Sequence, residues 1–309
     1  MRAFASIIIT LSLAGCDRDL PAHAAAECGP DADRAALSLT RQSSRPLSAA
    51  PRSAEILLLS SGTLASVERG SSGLSLHGPT KGVSEWLPAP EPLSAIVEHG
   101  GEVLATGARS LYHVDTRRGR VTHLATLPIK SGHSVNLATD GSTIWVATAG
   151  STTGTGEVLA TDRASLRHWR RTTMPGPVRL AALGGGRVAA ALVRSPHQVV
   201  ILDSALRALG AATPRAPGAW RRPRAEASVT QALIALDCDR LLHVLTDLRS
   251  DRRTLHIYEL APKPRVVRTR SIEQPIGFVQ AFGSNTLIAV SESTGRRELI
   301  YFGWSWKPN

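Results

Sequence analysis

From Glu55 onward one unit recurs: an apolar run, a tight turn, and a second apolar run that follows at once. The copies read EILLLSSGTLASVE, AIVEHGGEVLATG, NLATDGSTIWVATA, RLAALGGGRVAAAL, ALIALDCDRLLHVL and FVQAFGSNTLIAVS. Aligned on the turns at Gly62, Gly100, Gly141, Gly185, Asp239 and Ser284, they are spaced by 38, 41, 44, 54 and 45 residues, a mean of about 44. Strands average ~5–6 residues plus turns, so this period suits four strands per unit.

The second half of the unit repeats as well. LYHVDTRRGRVTHLA, EVLATDRASLRHWR and QVVILDSALRALGA each put an aspartate (Asp115, Asp162, Asp203) at the end of a third strand, before a short turn and a fourth strand. Aspartate suits that place because its side chain caps the turn through nearby backbone N–H groups. Four-stranded units in tandem resemble a β-propeller, and the cadence is similar to the quinoprotein-like and related bacterial propeller superfamilies. HVDTRRGRVTH keeps the Asp and Gly of their A-x-D-x-x-x-G-x-x-x-W motif, with His113 for the Ala and His123 for the Trp; ATDRASLRHW keeps Asp162 but has Trp169 one residue early.

The resemblance implies an all-β chain whose propeller spans 36–309. Six units can be counted, the last with three strands only, GFVQAFG, LIAVSES and ELIYFGWSW. A propeller closes by borrowing a strand from the other terminus, and ALSLTRQ (36–42) is the natural donor. Seven blades would leave about 36 residues each, and a two-sheet sandwich is the alternative outside the propeller class.

Ahead of the repeat stands a different signal. Arg2 precedes an apolar stretch, FASIIITLSLA, of eleven residues. That is short of the ~20 residues needed to span a bilayer and fits a signal peptide over 1–15. Leu13-Ala14-Gly15-Cys16 resembles the bacterial lipobox. The resemblance implies that Cys16 carries a diacylglyceryl group, whose two chains suffice for stable anchoring. Asp17 resembles the signal that retains lipoproteins at the inner membrane, so its periplasmic face is favoured over the outer membrane. Residues 16–35, rich in Ala, Asp and Pro, read as a tether.

Two further cysteines remain, Cys28 and Cys238. An oxidising compartment and an even count suggest one disulfide between them; two free thiols, one of them buried, is the alternative. Ring closure would bring Cys28 near the last two blades, where Cys238 sits.

The formal charge is +11, and only four of the 36 basic residues are Lys. So basic a chain in the cytoplasm would raise nucleic acid as a partner; the export signal argues against it and points to an envelope protein or an acidic envelope component. With the strands of each unit lettered a to d outward from the axis, all d–a and b–c loops share one end of the ring. The longer loops fall mainly there. They place Trp220, Arg221, Arg222, Arg252, Arg253, Arg296 and Arg297 on a candidate anion-binding face, with Lys130, His133, Arg215 and Arg224 beside them. Arginine forks suit carboxylate or phosphate; ordinary solvated turn arginines are the plainer alternative. The opposite face carries Arg117, Arg118, Lys263 and Arg265.

Catalytic signatures do not emerge. The ten histidines are scattered, without H-x-x-x-H, H-E-x-x-H or a Cys/His cluster. GSTTGTG lacks the lysine of a P-loop, and no G-x-S-x-G elbow occurs. No cofactor is expected. His168 and Trp169 fall in an expected outer strand. Polar residues on the inner strands (Glu98, His99, Asn136, Arg179, Gln231, Gln280) could line an axial channel. The expectation is a lipid-anchored extracytoplasmic propeller with a non-catalytic binding or scaffold role. The alternative is a lactonase- or quinoprotein-dehydrogenase-like enzyme with its site at the channel. Three acidic or amide side chains converging there would favour the enzyme.

Overall fold

The computed structural model describes residues 35–308 apart from 48–53, 69, 79–83, 131, 151–153, 215–227, 238, 251, 273–275, 283–284 and 294–295. Its regular structure is twenty-four strands in six antiparallel sheets of four. Strand β1 (Ala35–Pro46) comes first. Blade 1 is β2 (Ala54–Leu58), β3 (Leu64–Glu68), β4 (Gly73–His77) and β5 (Ser84–Pro88). Blade 2 is β6 (Leu93–His99), β7 (Glu102–Gly107), β8 (Ser110–Asp115) and β9 (Arg120–Thr126). Blade 3 is β10 (His133–Thr139), β11 (Thr143–Ala149), β12 (Gly156–Asp162) and β13 (Arg170–Met174). Blade 4 is β14 (Val178–Gly184), β15 (Arg187–Leu192), β16 (Val199–Asp203) and β17 (Ala208–Ala212). Blade 5 is β18 (Ser228–Ala235), β19 (Arg240–Asp247), β20 (Arg253–Glu259) and β21 (Arg265–Ile272). Blade 6 is β22 (Ile276–Phe282), β23 (Thr286–Ser293) and β24 (Arg296–Pro308), completed on its outer edge by β1.

The first strands of successive blades pack on one another in sequence, and β22 packs on β2 to close the circle. The molecule is therefore a six-bladed β-propeller with β2, β6, β10, β14, β18 and β22 around the axis. Closure uses the N-terminal segment as its sequence suggests, over a longer stretch than 36–42: β1 pairs with β24 from Ala35↔Pro308 to Pro46↔Glu298, with one register shift between Arg41 and Ser43.

The b strands explain why the blades stack. LASVE, EVLATG, TIWVATA and RVAAAL are buried almost throughout, so both of their faces need a neighbour. Six apolar clusters supply it, one between each consecutive pair of blades. Trp145, Val158 and Ala160 of blade 3 meet Val178, Val188 and Ala190 of blade 4. Leu58 and Leu64 of blade 1 meet Ile288, Val290 and Leu299 of blade 6 across the closure. Burial of apolar surface at ~25 cal/mol per Å² drives each seam.

Turn chemistry follows the expectation at two of the three aspartates. Asp115 accepts the N–H groups of Arg117 (3.1 Å) and Arg118 (3.0 Å), and Asp203 accepts that of Arg207 (2.8 Å). Asp162 differs: its side chain takes the Arg170 guanidinium at 2.8 Å, and its carbonyl closes the turn instead. His168 and Trp169 precede β13 rather than lying in it; His168 is exposed and Trp169 packs beside the seam of blades 2 and 3. Gly141 sits at φ +87°, and a Cβ there would lie 2.6 Å from the His99 ring of the preceding blade, so both conformation and space call for glycine.

Candidate axial site

An innermost strand has no further strand on its axial side, so its backbone groups there need other partners. Side chains of the neighbouring blade provide them. On β22, Gln280 accepts the Leu58 N–H through Oε1 (2.8 Å) and donates from Nε2 to the Leu58 carbonyl (2.9 Å), a two-bond bridge from blade 6 to blade 1. On β10, Asn136 accepts the Leu180 N–H at 2.7 Å, joining blade 3 to blade 4. Glu98 accepts the N–H (2.7 Å) and hydroxyl (2.6 Å) of Ser60, joining blade 2 to blade 1. At the turns, Asp140 accepts the Gly186 N–H at 2.9 Å. Gln231 lies against Gly277 of the following blade. Three of the six inner-strand residues expected to line the channel, Glu98, Asn136 and Gln280, thus stitch blade to blade.

One ring of positions stands apart. The a–b registers place Glu55, Ala95, Asn136, Arg179, Ala232 and Gly277 at one level, opposite Val67, Thr106, Ala147, Ala191, Val244 and Val290. Glu55 is in blade 1 and Arg179 in blade 4, three places apart in a ring of six, so they stand across the axis from each other. Desolvation pushes the Glu55 carboxyl up to about 7, and the charge of Arg179 acts against that rise. Among the described residues neither side chain forms a hydrogen bond or a close ion pair. Arg179 was legible as a polar inner-strand residue. Glu55 was missed; aligning the copies on their second strand rather than on the turn would have put it in register with Arg179.

A second cluster lies in the seam of blades 4 and 5. His197, His243 and His256 are all buried. Thr230 Oγ1 donates to the Leu192 carbonyl at 2.7 Å and lies 3.0 Å from His243 Nε2 and 3.4 Å from His197 Nδ1. His197 Nε2 meets Ser228 Oγ at 2.7 Å, His243 Nδ1 meets the Tyr258 hydroxyl at 3.3 Å, and His256 Nδ1 meets Thr269 Oγ1 at 2.9 Å. Burial, the neighbouring His256 and then His197 hold His243 well below the ordinary imidazole range. Burial and His197 bring His256 down to about 4. Burial raises the Tyr258 phenol. All three imidazoles are neutral at pH 7. Their sequence positions carry no motif, because strand pairing and one loop bring them together. Among the described residues no three His, Cys, Asp or Glu side chains are grouped so as to hold a metal ion.

The expected anion face is described in part. Arg252 is exposed in the β19–β20 turn. Arg253 is not a loop residue: it opens β20, pairs with Ile272 of β21 and is buried. Arg296 and Arg297 likewise open β24, paired with Ser293 and Glu292, and Arg297 is half-buried. The hairpins are tighter than the charge pattern suggested, so the ladder takes up residues assigned to loops. Trp220, Arg221 and Arg222 lie outside the described residues, as do Cys16, Cys28 and Cys238.

No protein-family model matches the chain, and no curated protein matches it in sequence. Among solved structures it is similar to the hydrazine synthase of Kuenenia stuttgartiensis, with a TM-score of 0.49 and 14% identity over 76% of this chain and 75% of that one. It is also similar to the Dos1 propeller, with a TM-score of 0.48 and 11% identity over 81% of this chain and 68% of that one.

Proposed function

We propose that this chain is a lipid-anchored propeller of the bacterial envelope that binds its partner, an envelope protein or an acidic envelope component, without transforming it. The observation that carries the binding reading is the use made of the inner-strand polar groups. Glu98, Asn136 and Gln280 hold neighbouring blades together, so they are engaged where a lactonase-like site would need them converging on a cation. The anchor rests on the lipobox-like Leu13-Ala14-Gly15-Cys16 and the apolar run before it, and Asp17 favours the periplasmic face of the inner membrane. Excess arginine supplies a surface suited to anionic groups.

The test is metabolic labelling with a fatty-acid analogue, followed by crosslinking of the intact protein in its native envelope. Wild type should label, fractionate with membranes and crosslink to one partner. Cys16→Ser should do none of these. Labelling of Cys16→Ser, or membrane association without it, would defeat the anchored reading.

One observation favours the enzyme reading instead. Glu55 has its carboxyl at about 7 in the axial ring, which is where a general base works best at neutral pH. Turnover of a lactone or alcohol that Glu55→Gln abolishes would establish that reading over the first.

A further inference from the structure

We infer that the blade 4 loop at 193–198 is an acid-operated latch. It locks the seam with blade 5 while His197, His243 and His256 are neutral, and it swings out when they take up protons, before the ring unfolds. The inference depends on neither the anchor nor the partner. Three observations carry it. First, the loop enters the seam by a single residue: Arg194, Ser195 and Pro196 are exposed, and His197 is the one buried residue of the stretch. Second, that residue holds φ +55°, in the left-handed region that a side chain disfavours, so its contacts with blade 5 hold a strained backbone. Third, the loop is tied to β18 at two neighbouring residues. Thr230 donates its N–H to the Val193 carbonyl (2.8 Å) and its hydroxyl to the Leu192 carbonyl (2.7 Å), and His197 Nε2 meets Ser228 Oγ at 2.7 Å.

The hydrogen directions explain why protons work against the latch. Thr230 has one hydroxyl hydrogen and directs it to Leu192, so its lone pairs face the imidazoles. His243 Nε2 (3.0 Å) and His197 Nδ1 (3.4 Å) must then carry hydrogens. The nitrogens left to take a proton are His243 Nδ1, against the Tyr258 hydroxyl, and His197 Nε2, against Ser228. A proton added at either is a charge among neutral groups. His256 faces His243 in register with ring centroids 6.2 Å apart, so a second charge adds repulsion to desolvation.

Among the described residues none of the three imidazoles is bonded to a carboxylate. β18 and β22 bring no titratable side chain. In the β18–β19 turn Asp237 faces Arg240 (3.6 Å), and Asp239 faces Arg187 of β15 (3.8 Å). β19 ends in Asp247, which caps its own turn through the Arg249 N–H (2.8 Å). β20 brings Arg253, and Glu259, which accepts from Arg265 of β21 (2.8 Å). β21 adds Arg268 and Arg270, both exposed, and β14 adds Arg179. Asp203 of β16 is held by Arg207 (2.7 Å). Swinging the loop out takes His197 into water, uncovers the Thr230 side of His243 and relieves the backbone strain. The open form binds protons that the closed form excludes, so its share rises as pH falls below the ordinary imidazole value of 6.5. As a b–c loop it lies at the end of the ring that carries the arginine loops, and its release reshapes that end.

The experiment is hydrogen exchange by mass spectrometry on the full-length protein in detergent, from pH 7 to pH 5, each rate divided by the intrinsic rate at that pH. The amides of Leu192, His197 and Thr230, all bonded in the closed latch, should lose protection by about tenfold or more at pH 5 and regain it at pH 7. β7 and β11, in the seam of blades 2 and 3, should keep theirs. Asparagine tolerates the left-handed backbone and does not titrate in this range. His197→Asn should therefore abolish the pH dependence of the loop, whether it holds the loop shut or leaves it open. The inference is overturned if all blades lose protection together, if the loop stays fully protected at pH 5, if the loss is not reversed at pH 7, or if His197→Asn retains the wild-type pH dependence.

Discussion

The histidines in the seam of blades 4 and 5 and Glu55 of the axial ring are all driven from their ordinary protonation behaviour by burial, and they end in opposite conditions. His197, His243 and His256 surround Thr230, Ser228, Tyr258 and Thr269, and each imidazole has a hydroxyl within hydrogen-bond reach. Glu55 and Arg179 face each other without a bonded partner. The difference teaches how to read a polar group in this ring. A satisfied network in a seam is packing by other means, neutral and closed. A half-buried pair on the axis, bonded to no described residue, lies outside that packing. Removing the first should harm the fold; removing the second should not.

The largest effect should therefore come from the seam. His243→Ala removes a fully buried ring and leaves Thr230 and Tyr258 short of a partner, so a loss on the order of 3 kcal/mol is expected from the cavity and the broken bonds together. Thr230→Val keeps the volume but removes the hydroxyl that bonds the Leu192 carbonyl and lies within reach of two imidazoles, for about 2 kcal/mol. Urea denaturation measures both. A His243→Ala variant as stable as wild type would mean that the seam does not depend on its network.

Acid should act next, through the same histidines. An imidazole held low in the folded state and ordinary in the unfolded chain gives the unfolded state more bound protons between the two values, so stability rises with pH across that window. The contribution is intact above about 6.5 and is lost as pH falls toward the folded value. For His256, brought down to about 4, this is on the order of 3 kcal/mol; His243 and His197 add in the same direction. Denaturation midpoints should fall steeply from pH 6.5 to 4.5, and His256→Asn should flatten the slope. An equal slope in wild type and variant would place the acid sensitivity elsewhere.

Glu55 gives a smaller effect of opposite sign. Its folded value, about 7, lies above the ordinary carboxyl value of 4.5. The folded state then holds the extra proton, and stability falls as pH rises from 4.5 through 7. Glu55→Gln removes that loss. It should stabilise the protein at pH 8 by on the order of 2 kcal/mol, discounted for solvent in the passage, and change little at pH 4.5. Destabilisation at pH 8 would make Glu55 a structural group and remove the contrast with the seam.

The two regions also differ in how far the sequence discloses them. Period, blade count and the closing segment were legible because each blade repeats the same burial demand along one short stretch, and the chain order is the spatial order except where β1 meets β24. The axial pair was half legible: Arg179 breaks an apolar run visibly, but its relation to Glu55 depends on two blades being opposite, which needs the ring. The histidine network was illegible. His197 comes from a loop of blade 4, and His243 and His256 face each other only through the β19–β20 register. The arginines misled at Arg253, because a charge run at a hairpin looks like a loop until the ladder shows where pairing begins.

The smallest effects belong to the surface arginines and extend the comparison to the ends of the ring. Arg252 is exposed, and a single exposed charge is worth ~0–1 kcal/mol, so Arg252→Ala should leave stability within about 0.5 kcal/mol of wild type and binding nearly unchanged. Arg253 must stay out of any multiple variant: it is buried, and its loss would perturb blade 5 rather than a surface. Replacing Arg221, Arg222, Arg252 and Arg296 together is the informative change. If they act as one anion-binding patch, binding to vesicles containing anionic lipid should drop sharply and lose its salt dependence, since exposed charges are screened over ~8 Å at physiological ionic strength. The control is the opposite face, where Arg118 lies 3.8 Å from Asp115 and Arg265 donates to Glu259 at 2.8 Å. These arginines are partly neutralised by their neighbours, so replacing Arg117, Arg118, Lys263 and Arg265 should weaken vesicle binding less. Equal loss from both faces would reduce the effect to net charge, and no loss from either would leave the surface arginines as solvated turn residues.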